Sequence, residues 1–516
     1  MYLTQLLHRQ LQQQPDAVMT VNGDRARTVR ESAQRIARLA GALQGLGVSR
    51  GEHIGILALN SDRYHEYLLA VPWADAVVAP VNIRWSPAEI IYSLKDASVK
   101  CLLVDDVFIP MIPALQQACP ELATIIFCGD GPTPTGAHNY EELVTQGPAV
   151  EDARRGGDDV FGIFYTGGTT GTPKGVMLSH TNVMVSNLGM LASADTDDAG
   201  GVAVLTAPMF HMAAVGCWIT YLMTDAKIIF APGFDPVSVV TMIDKYKVTS
   251  IMLVPTMLQY VLEAATAMGT RLPSLKYLTY GASAMPNALL LKTLALIDGV
   301  KLLQAFGMTE LSPVATLLTW QDHQDPEIMF SSGRAPINCE VKVVDLEDNE
   351  VPIGDVGEVV VKGSNVMVGY LNKPEATAEA LRGGWMHTGD IGYMTERGYL
   401  FVVDRLKDMI ITGGENVYSV EVENALASHP AVASVAVIAI PSGQWGEAVH
   451  AAVILAPGQS VTDEELRAYC GEQIARYKVP RTIEFRDAFP LSGAGKILKR
   501  EIRKEYQELA SDGTAR

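Results

Sequence analysis

The residues most able to do chemistry form one run, Tyr165-Thr-Gly-Gly-Thr-Thr-Gly-Thr-Pro-Lys-Gly175, placed directly after the apolar stretch FGIFY (161–165). Glycines let a backbone turn tightly and approach a ligand, and successive N–H groups form an anion nest. Threonine hydroxyls add donors and Lys174 adds charge, so the loop suits a phosphate chain. It is not a Walker A loop, because Pro173 stands between Thr172 and Lys174 where that motif needs Gly-Lys-[Ser/Thr]. Neither a G-x-G-x-x-G dinucleotide fingerprint nor a G-x-S-x-G nucleophile elbow occurs, which removes the main support for an oxidoreductase or a serine hydrolase. A Gly/Thr count alone would read as a flexible surface turn, so the chemistry depends on what accompanies the loop.

Such a loop needs a scaffold, and the chain has material for one. Short β-branched runs at HIGILAL (53–59), AVVAPV (76–81), CLLV (101–104), TIIF (124–127), KIIF (227–230) and SIMLV (250–254) alternate with helical patterns such as 30–46 and 237–246. Apolar residues there recur at three- and four-residue spacing, as helices packed on a covered sheet require. The expectation is an α/β fold with layered subdomains. After about residue 340 the text turns strand-rich (VKVVD, GEVVVKG, YLFVVDR), which predicts a β subdomain. Beyond 404 a compact α+β unit is expected: a helix over ENVYSVEVENALAS (415–428), strands at 432–440 and 449–456, a capped helix over 462–477, a strand at 482–487 and a basic C-terminal helix. The expected domains are therefore 1–404 and 405–516. Residues 199–224 hold no charged side chain and could span a bilayer, but Gly200, Gly201, Pro208 and His211 favour a buried strand, loop and helix.

Composition narrows the class further. The 516 residues carry a formal charge of −18, which repels nucleic acid and anionic membranes, so an anionic ligand needs a local site. Six cysteines without a CxxC pair exclude zinc modules and a disulfide framework, and fit a reducing cytoplasm. No secretory signal is expected at the N-terminus.

Eight motifs follow one another in order: YTGGTTGTPKGV (165–176), PMFH (208–211), YGAS (280–283), QAFGMTE (304–310), GEVVVKG (357–363), WMHTGD (385–390), DRLKDMIITGGENVY (404–418) and PLSGAGKI (490–497). Nearly end to end, the sequence resembles the adenylate-forming superfamily of acyl-CoA synthetases, luciferases and peptide-synthetase adenylation domains. The resemblance implies a large N-terminal domain, a small mobile C-terminal domain and an ATP site between them. It further implies an AMP-forming acid–thiol ligase using ATP, Mg²⁺ and CoA. In that chemistry a carboxylate attacks the α-phosphorus of ATP, so two anions must approach and an oxyanion must be stabilised.

Carried over residue by residue, Thr166, Gly167, Gly168, Thr169, Thr170, Gly171, Thr172 and Lys174 hold the β- and γ-phosphates. Gly281, Ala282 and Ser283 flank adenine, and Ala305, Phe306, Gly307 and Met308 complete the nucleotide site. Thr309 contacts the α-phosphate, Glu310 is the Mg²⁺ ligand, Asp390 accepts the ribose hydroxyls and Arg405 supports the same ribose. Lys496, after Gly493 and Gly495, is the principal cation of adenylation. Lys407 aligns with the hinge, and Gly413, Gly414, Glu415 and Asn416 form the CoA channel after the small domain rotates.

His211 stands where amino-acid-activating relatives carry an aspartate, and counts with the catalytic and acid-pocket residues; Phe234-Asp235 reads instead as a helix-capping turn. Met212, Ala213, Ala214, Val215, Tyr280, Gly281, Gly307, Pro313 and Val314 would line a pocket with little to bind a second charge, which implies a hydrophobic monocarboxylate. Met212 and Ala213 also fit ordinary core packing. Pro313 and Val314 after GMTE resemble the hydroxycinnamate-CoA ligases, which implies a ferulate- or coumarate-like aryl acid, while FHMAAV (210–215) and DRLKDMIITGGENVY (404–418) resemble the fatty-acyl-CoA ligases, the alternative. A luciferase-like monooxygenase and a non-catalytic nucleotide sensor are the readings from other classes. The expected partners are small molecules, with no nucleic acid and no stable membrane insertion; a homodimer stays open.

Overall fold

The computed structural model describes residues 1–167, 172–194, 198–412, 414–443, 445–492 and 496–511, with side chains through residue 506. Two eight-stranded sheets form the large body. The first runs, in spatial order, Thr316–Leu318, Lys301–Phe306, Tyr277–Gly281, Ser250–Leu253, Val202–Leu205, Lys227–Phe230, Val18–Asn22 and Arg25–Thr28. The second runs Gly369–Tyr370, Lys174–Ser179, Val160–Thr166, Val77–Pro80, His53–Leu57, Cys101–Val104, Thr124–Phe127 and His138–Asn139. The inner strands of the first sheet are parallel, as are those of the second from Val160–Thr166 through His138–Asn139, whereas Lys174–Ser179 pairs antiparallel with both its neighbours. Every residue of Val77–Pro80 and Cys101–Val104 is buried, which is why these runs read as wholly apolar. Helices such as Val29–Gly45, opened by a capping box between Thr28 and Glu31, cover the faces.

The uncharged stretch 199–224 becomes the strand Val202–Leu205, a loop and the helix Met212–Met223, whose Trp218 and Ile219 are fully buried. Among the described residues no helix is long and apolar enough to cross a membrane. The expected β subdomain is the antiparallel sheet Cys339–Val344, Gly357–Gly363, Met386–Met394 and Leu400–Arg405. A smaller sheet follows, in which Gly446–Leu455 pairs along one edge with Val432–Ser442 and along the other with the parallel strand Thr482–Phe485 and, at Gly446, with Ile410–Thr412, itself paired with Glu415–Val417.

The C-terminal unit departs from expectation twice. The helix expected over 415–428 begins only at Ser419, because Glu415–Val417 pairs with Ile410–Thr412 in a register that places Thr412 opposite Glu415. Two glycines between paired strands are a hairpin signal, and it prevails over the helical pattern. The helix expected over 462–477 is capped by Thr462 and Glu465 but stops at Gly471, where the N–H groups of Gln473 and Ile474 turn back to the Cys470 carbonyl. Glycine is a weak helix former, and Leu466 and Cys470 already supply the buried face.

A buried knot joins the two bodies. Asp404, at the end of the third sheet, accepts the N–H of Arg405 at 2.7 Å and that of Ser419 at the start of the Ser419–Ala427 helix. Lys499 of the C-terminal helix donates to Ser419 Oγ at 2.6 Å and pairs with Glu423 at 2.7 Å.

Candidate active site

The strand Val160–Thr166 pairs antiparallel with Lys174–Ser179, bringing Thr166 opposite Lys174 at the root of the Gly/Thr loop. Tyr165 anchors this root: it is buried, its hydroxyl donates to Asp96 at 2.7 Å, and burial raises its pKa. Gly168, Thr169, Thr170, Gly171 and, further on, Gly413, Gly493 and Gly495 lie outside the described residues. The Lys174 ammonium sits 4.8 Å from the centre of the Tyr370 ring, an attraction between a cation and the negative face of the aromatic ring.

Tyr370 links the loop to the acidic residue. Its strand, Gly369–Tyr370, adds to the edge of Lys174–Ser179, and its hydroxyl donates to Glu310 Oε1 at 2.9 Å. The same segment bonds on both sides: Met367 N–H to the Glu310 carbonyl at 2.8 Å, and Leu371 N–H to the Gly175 carbonyl at 2.8 Å. Glu310 and the loop root are therefore held in one frame. Glu310 lies in the short helical turn Thr309–Leu311 and is 5% exposed. Burial raises its carboxyl pKa, opposed by its own backbone hydrogen bond, the Tyr370 hydroxyl, Arg405 and Lys174. A buried carboxylate beside a phosphate-type loop suits a hard divalent cation whose remaining ligands are phosphate oxygens and water. Among the described residues no cluster of three or more metal-ligating side chains occurs.

Asp390 and Arg405 stand directly opposite on neighbouring strands, and their side chains pair at 3.0 Å. Asp390 is buried while Arg405 reaches solvent, and the arginine holds the carboxylate in place. Burial raises the Asp390 pKa, while Arg405, Lys496 and Lys407 lower it. Lys496 arrives from the C-terminal unit on a segment closed by a bridge between Leu491 and Ile497. Ser492 N–H donates to the Lys496 carbonyl at 2.7 Å, and Lys496 N–H donates to Ser492 Oγ at 3.0 Å. Its ammonium is pushed down to about 8, chiefly by burial and then by Arg405, against the pull of Asp390 and Glu310. The structure thus brings Lys496, Glu310, Asp390 and Arg405 within electrostatic reach of one another.

His211 precedes the helix Met212–Met223, its ring 4.2 Å from that of Phe210. Met212, Ala214 and Val215 are buried, Met212 and Val215 within the main hydrophobic core, while Ala213 is half-buried. Pro313 packs on the same helix, because a Cβ added at Gly216 would lie 3.1 Å from Pro313 Cδ. A Cβ at Gly307 would lie 2.1 Å from the Pro313 carbonyl oxygen, and one at Gly281 would lie 2.2 Å from that of Ala305. Both glycines are required by close backbone approach. Ala282 holds a φ of +67°, strained for an alanine, at the end of the strand Tyr277–Gly281. The Tyr280 hydroxyl is engaged in the core, 2.8 Å from His323 Nε2 and 3.3 Å from Gln304 Oε1. Asp235 caps the helix Pro236–Tyr246 by accepting from Ser238 N–H at 2.8 Å, the capping turn expected of FDPVS. Lys407 and Glu415 are exposed, and Gly414 has a φ of +86°.

Three positioning residues escaped the sequence reading. Tyr370 is one. Asn365 donates to the carbonyls of Leu311 and Val314 at 3.1 and 2.8 Å, fixing the loop that carries Pro313. Asn60 accepts Met209 N–H at 2.8 Å and donates to the Ala207 carbonyl at 2.9 Å, fixing the loop before His211. No local motif marks any of them, since each acts on residues far along the chain.

Comparison with known proteins follows the same lines. Residues 7–371 match a family described as AMP-binding enzyme, and residues 421–496 match the AMP-binding enzyme C-terminal domain. A feruloyl-CoA synthase of Amycolatopsis sp is 37% identical over 502 residues, covering 96% of this chain and 98% of its own. A long-chain-fatty-acid–CoA ligase of Mycobacterium tuberculosis is 34% identical over 470 residues, covering 91% of each. Among solved structures, an anthranilate CoA ligase in complex with anthranoyl-AMP matches with a TM-score of 0.92 at 28% identity, over 99% of this chain and 98% of that one.

Proposed function

Because the chain belongs to the AMP-binding enzyme family and is an AMP-forming acid–CoA ligase, we propose that its residues divide the work as follows. Residues 1–404 bind acid and ATP, and residues 405–516 form the mobile unit that delivers Lys496. The observation that carries this reading is that Lys496, on a segment held by its two hydrogen bonds to Ser492, stands within electrostatic reach of Glu310 and Asp390 of the large body. The acid carboxylate attacks the α-phosphorus, a new C(O)O–P bond forms, and the bond to pyrophosphate breaks with its electron pair on the leaving group. Lys496 faces the charge that develops there, and Thr166, Gly167, Thr172 and Lys174 with the rest of their loop hold the leaving phosphates. Thr309 contacts the α-phosphate. Asp390 accepts both ribose hydroxyls, oriented by Arg405. Glu310 would hold Mg²⁺, which supplies charge neutralisation on phosphate oxygens when bound. Gly281, Ala282 and Ser283, with residues 305–308, hold the adenine side. A turn about Lys407 then withdraws Lys496 and presents residues 413–416 to the CoA thiol. The thiol sulfur attacks the carbonyl, AMP departs with the electron pair, and the thiol proton passes to solvent.

The pKa of about 8 gives Lys496 a signature: the side chain is cationic below that value and neutral above it. Adenylation should therefore fall as pH rises through about 8. Measured as kcat/KM for the acid, the descending limb should move upward in Lys496→Arg, whose guanidinium stays charged. A limb unmoved by that change would assign the ionisation to another group.

For the acid we propose a hydrophobic monocarboxylate of the aryl-propenoic class, such as ferulate or coumarate. The packing of Pro313 against Gly216, and the 37% identical feruloyl-CoA synthase, support it. The second reading is a medium- or long-chain fatty acid, favoured by the apolar face His211–Val215 and the 34% identical long-chain ligase. Comparing kcat/KM for ferulate, coumarate, benzoate and straight-chain acids decides between them; better turnover of alkyl acids would reverse the assignment. We place the enzyme in the cytoplasm, in keeping with its six free cysteines.

A further inference from the structure

Arg84 lies on an exposed loop of the large body, more than 400 residues from the Lys496 segment, yet its Nη1 donates to the Ser492 carbonyl at 3.0 Å. Ser492 is itself coupled to Lys496 by two hydrogen bonds, Ser492 N–H to the Lys496 carbonyl and Lys496 N–H to Ser492 Oγ. Fixing the Ser492 carbonyl thus fixes the backbone from which Lys496 projects. The other end of the contact is equally set. Arg84 N–H donates to Asn82 Oδ1 at 3.0 Å, and Asn82 is buried. The next residue, Trp85, meets Tyr165 edge-on with ring centres 6.2 Å apart, and Tyr165 leads into the Gly/Thr loop.

Among the described residues, no carboxylate pairs with the Arg84 guanidinium, and a carbonyl acceptor leaves its charge in place. An arginine fork has five donors, and one bond to a carbonyl occupies few of them. A long cationic side chain with no acidic partner is a poor stability device, but it suits a contact that must form and break.

We propose that Arg84 is a positioning residue for the first half-reaction only: it registers the Lys496 segment against the large body during adenylation, and its bond to Ser492 must break before the thiol step. The inference rests on the adenylation reading above and adds a residue that its motifs do not include. Arg84 acts through Lys496, so it differs from a residue that merely supports the fold.

The test separates the two steps. Arg84→Ala and Arg84→Lys are assayed for acid-dependent ATP–pyrophosphate exchange with ferulate, or with the best acid of the panel, and separately for thioester formation from the corresponding preformed acyl-adenylate and CoA. Losing one charged hydrogen bond should lower exchange about 10- to 100-fold in Arg84→Ala, mainly in kcat, with thioester formation within about twofold of wild type. Arg84→Lys should recover part of the exchange, because a lysine can still donate to the carbonyl. Its recovery also separates lost positioning from misfolding. Equal loss in both steps, exchange unchanged in Arg84→Ala, or loss confined to KM for ATP would each overturn the proposal. Wild-type enzyme without exchange on any acid would instead sink the adenylation reading itself, so the two failures are distinct.

Discussion

Lys496→Ala should lower acid-dependent adenylation by about 10²- to 10³-fold, the loss typical when one preorganised group facing a developing oxyanion is removed. The local charges explain why no neighbour compensates. Arg405 is committed to Asp390 at 3.0 Å, and Lys174 rests over the Tyr370 ring. Lys496 acts on both Glu310 and Asp390 without being committed to a carboxylate as Arg405 is. Thioester formation from preformed acyl-adenylate should stay comparatively intact, since the proposed turn about Lys407 would have withdrawn the lysine by then. The check is a pair of assays on one preparation, exchange and thioester formation. Parallel loss in both would show that Lys496 serves the fold or both steps alike.

Glu310→Gln is expected to be nearly as severe, and its signature is a change in magnesium dependence. Glutamine keeps an oxygen to accept the Tyr370 hydroxyl, so the frame joining residues 310, 370 and 175 survives. What disappears is the negative charge that a hard cation requires. Adenylation should fall by about 10²-fold or more, and the MgCl2 concentration for half-maximal rate should rise. The melting temperature should hold or increase. Burial raises the Glu310 pKa, so the ionised carboxylate costs stability at neutral pH, and a neutral amide relieves that cost. Unchanged magnesium dependence with reduced rate would remove Glu310 from metal binding.

The scaffold was legible where pattern and burial agree. CLLV is apolar throughout, and TIIF after its half-buried Thr124, because both faces of their sheet are covered, and their positions read directly as strands. Thr462 with Glu465 gave the helix start, because a capping box is local chemistry. Its end is not legible in the pattern, since Ile474 continues the apolar spacing while Gly471 and the turn onto the Cys470 carbonyl stop the helix. Glu415–Val417 was absorbed into a helix although the adjacent glycines were a turn signal. In the site, the Gly/Thr loop, Glu310, Asp390, Arg405 and Lys496 stood out through their motifs. Tyr370, Asn365, Asn60 and Arg84 did not, for each is a single polar side chain whose partner lies on another sheet or in another domain. The acid pocket was the least readable part. Met212 and Val215 fit the hydrophobic core as well as a tunnel wall, and sequence cannot tell which way a Tyr280 hydroxyl turns.

The central claim is that a carboxylate displaces pyrophosphate at the α-phosphorus within the cluster of Glu310, Asp390 and Lys496. Its most direct test is to incubate the enzyme with ATP, Mg²⁺ and an aryl or alkyl acid, without CoA, and to identify the nucleotide and phosphate products while following label exchange from pyrophosphate into ATP. The expected result is acid-dependent exchange with bound acyl-AMP and free pyrophosphate. Formation of ADP and inorganic phosphate, or exchange indifferent to the acid, would contradict it.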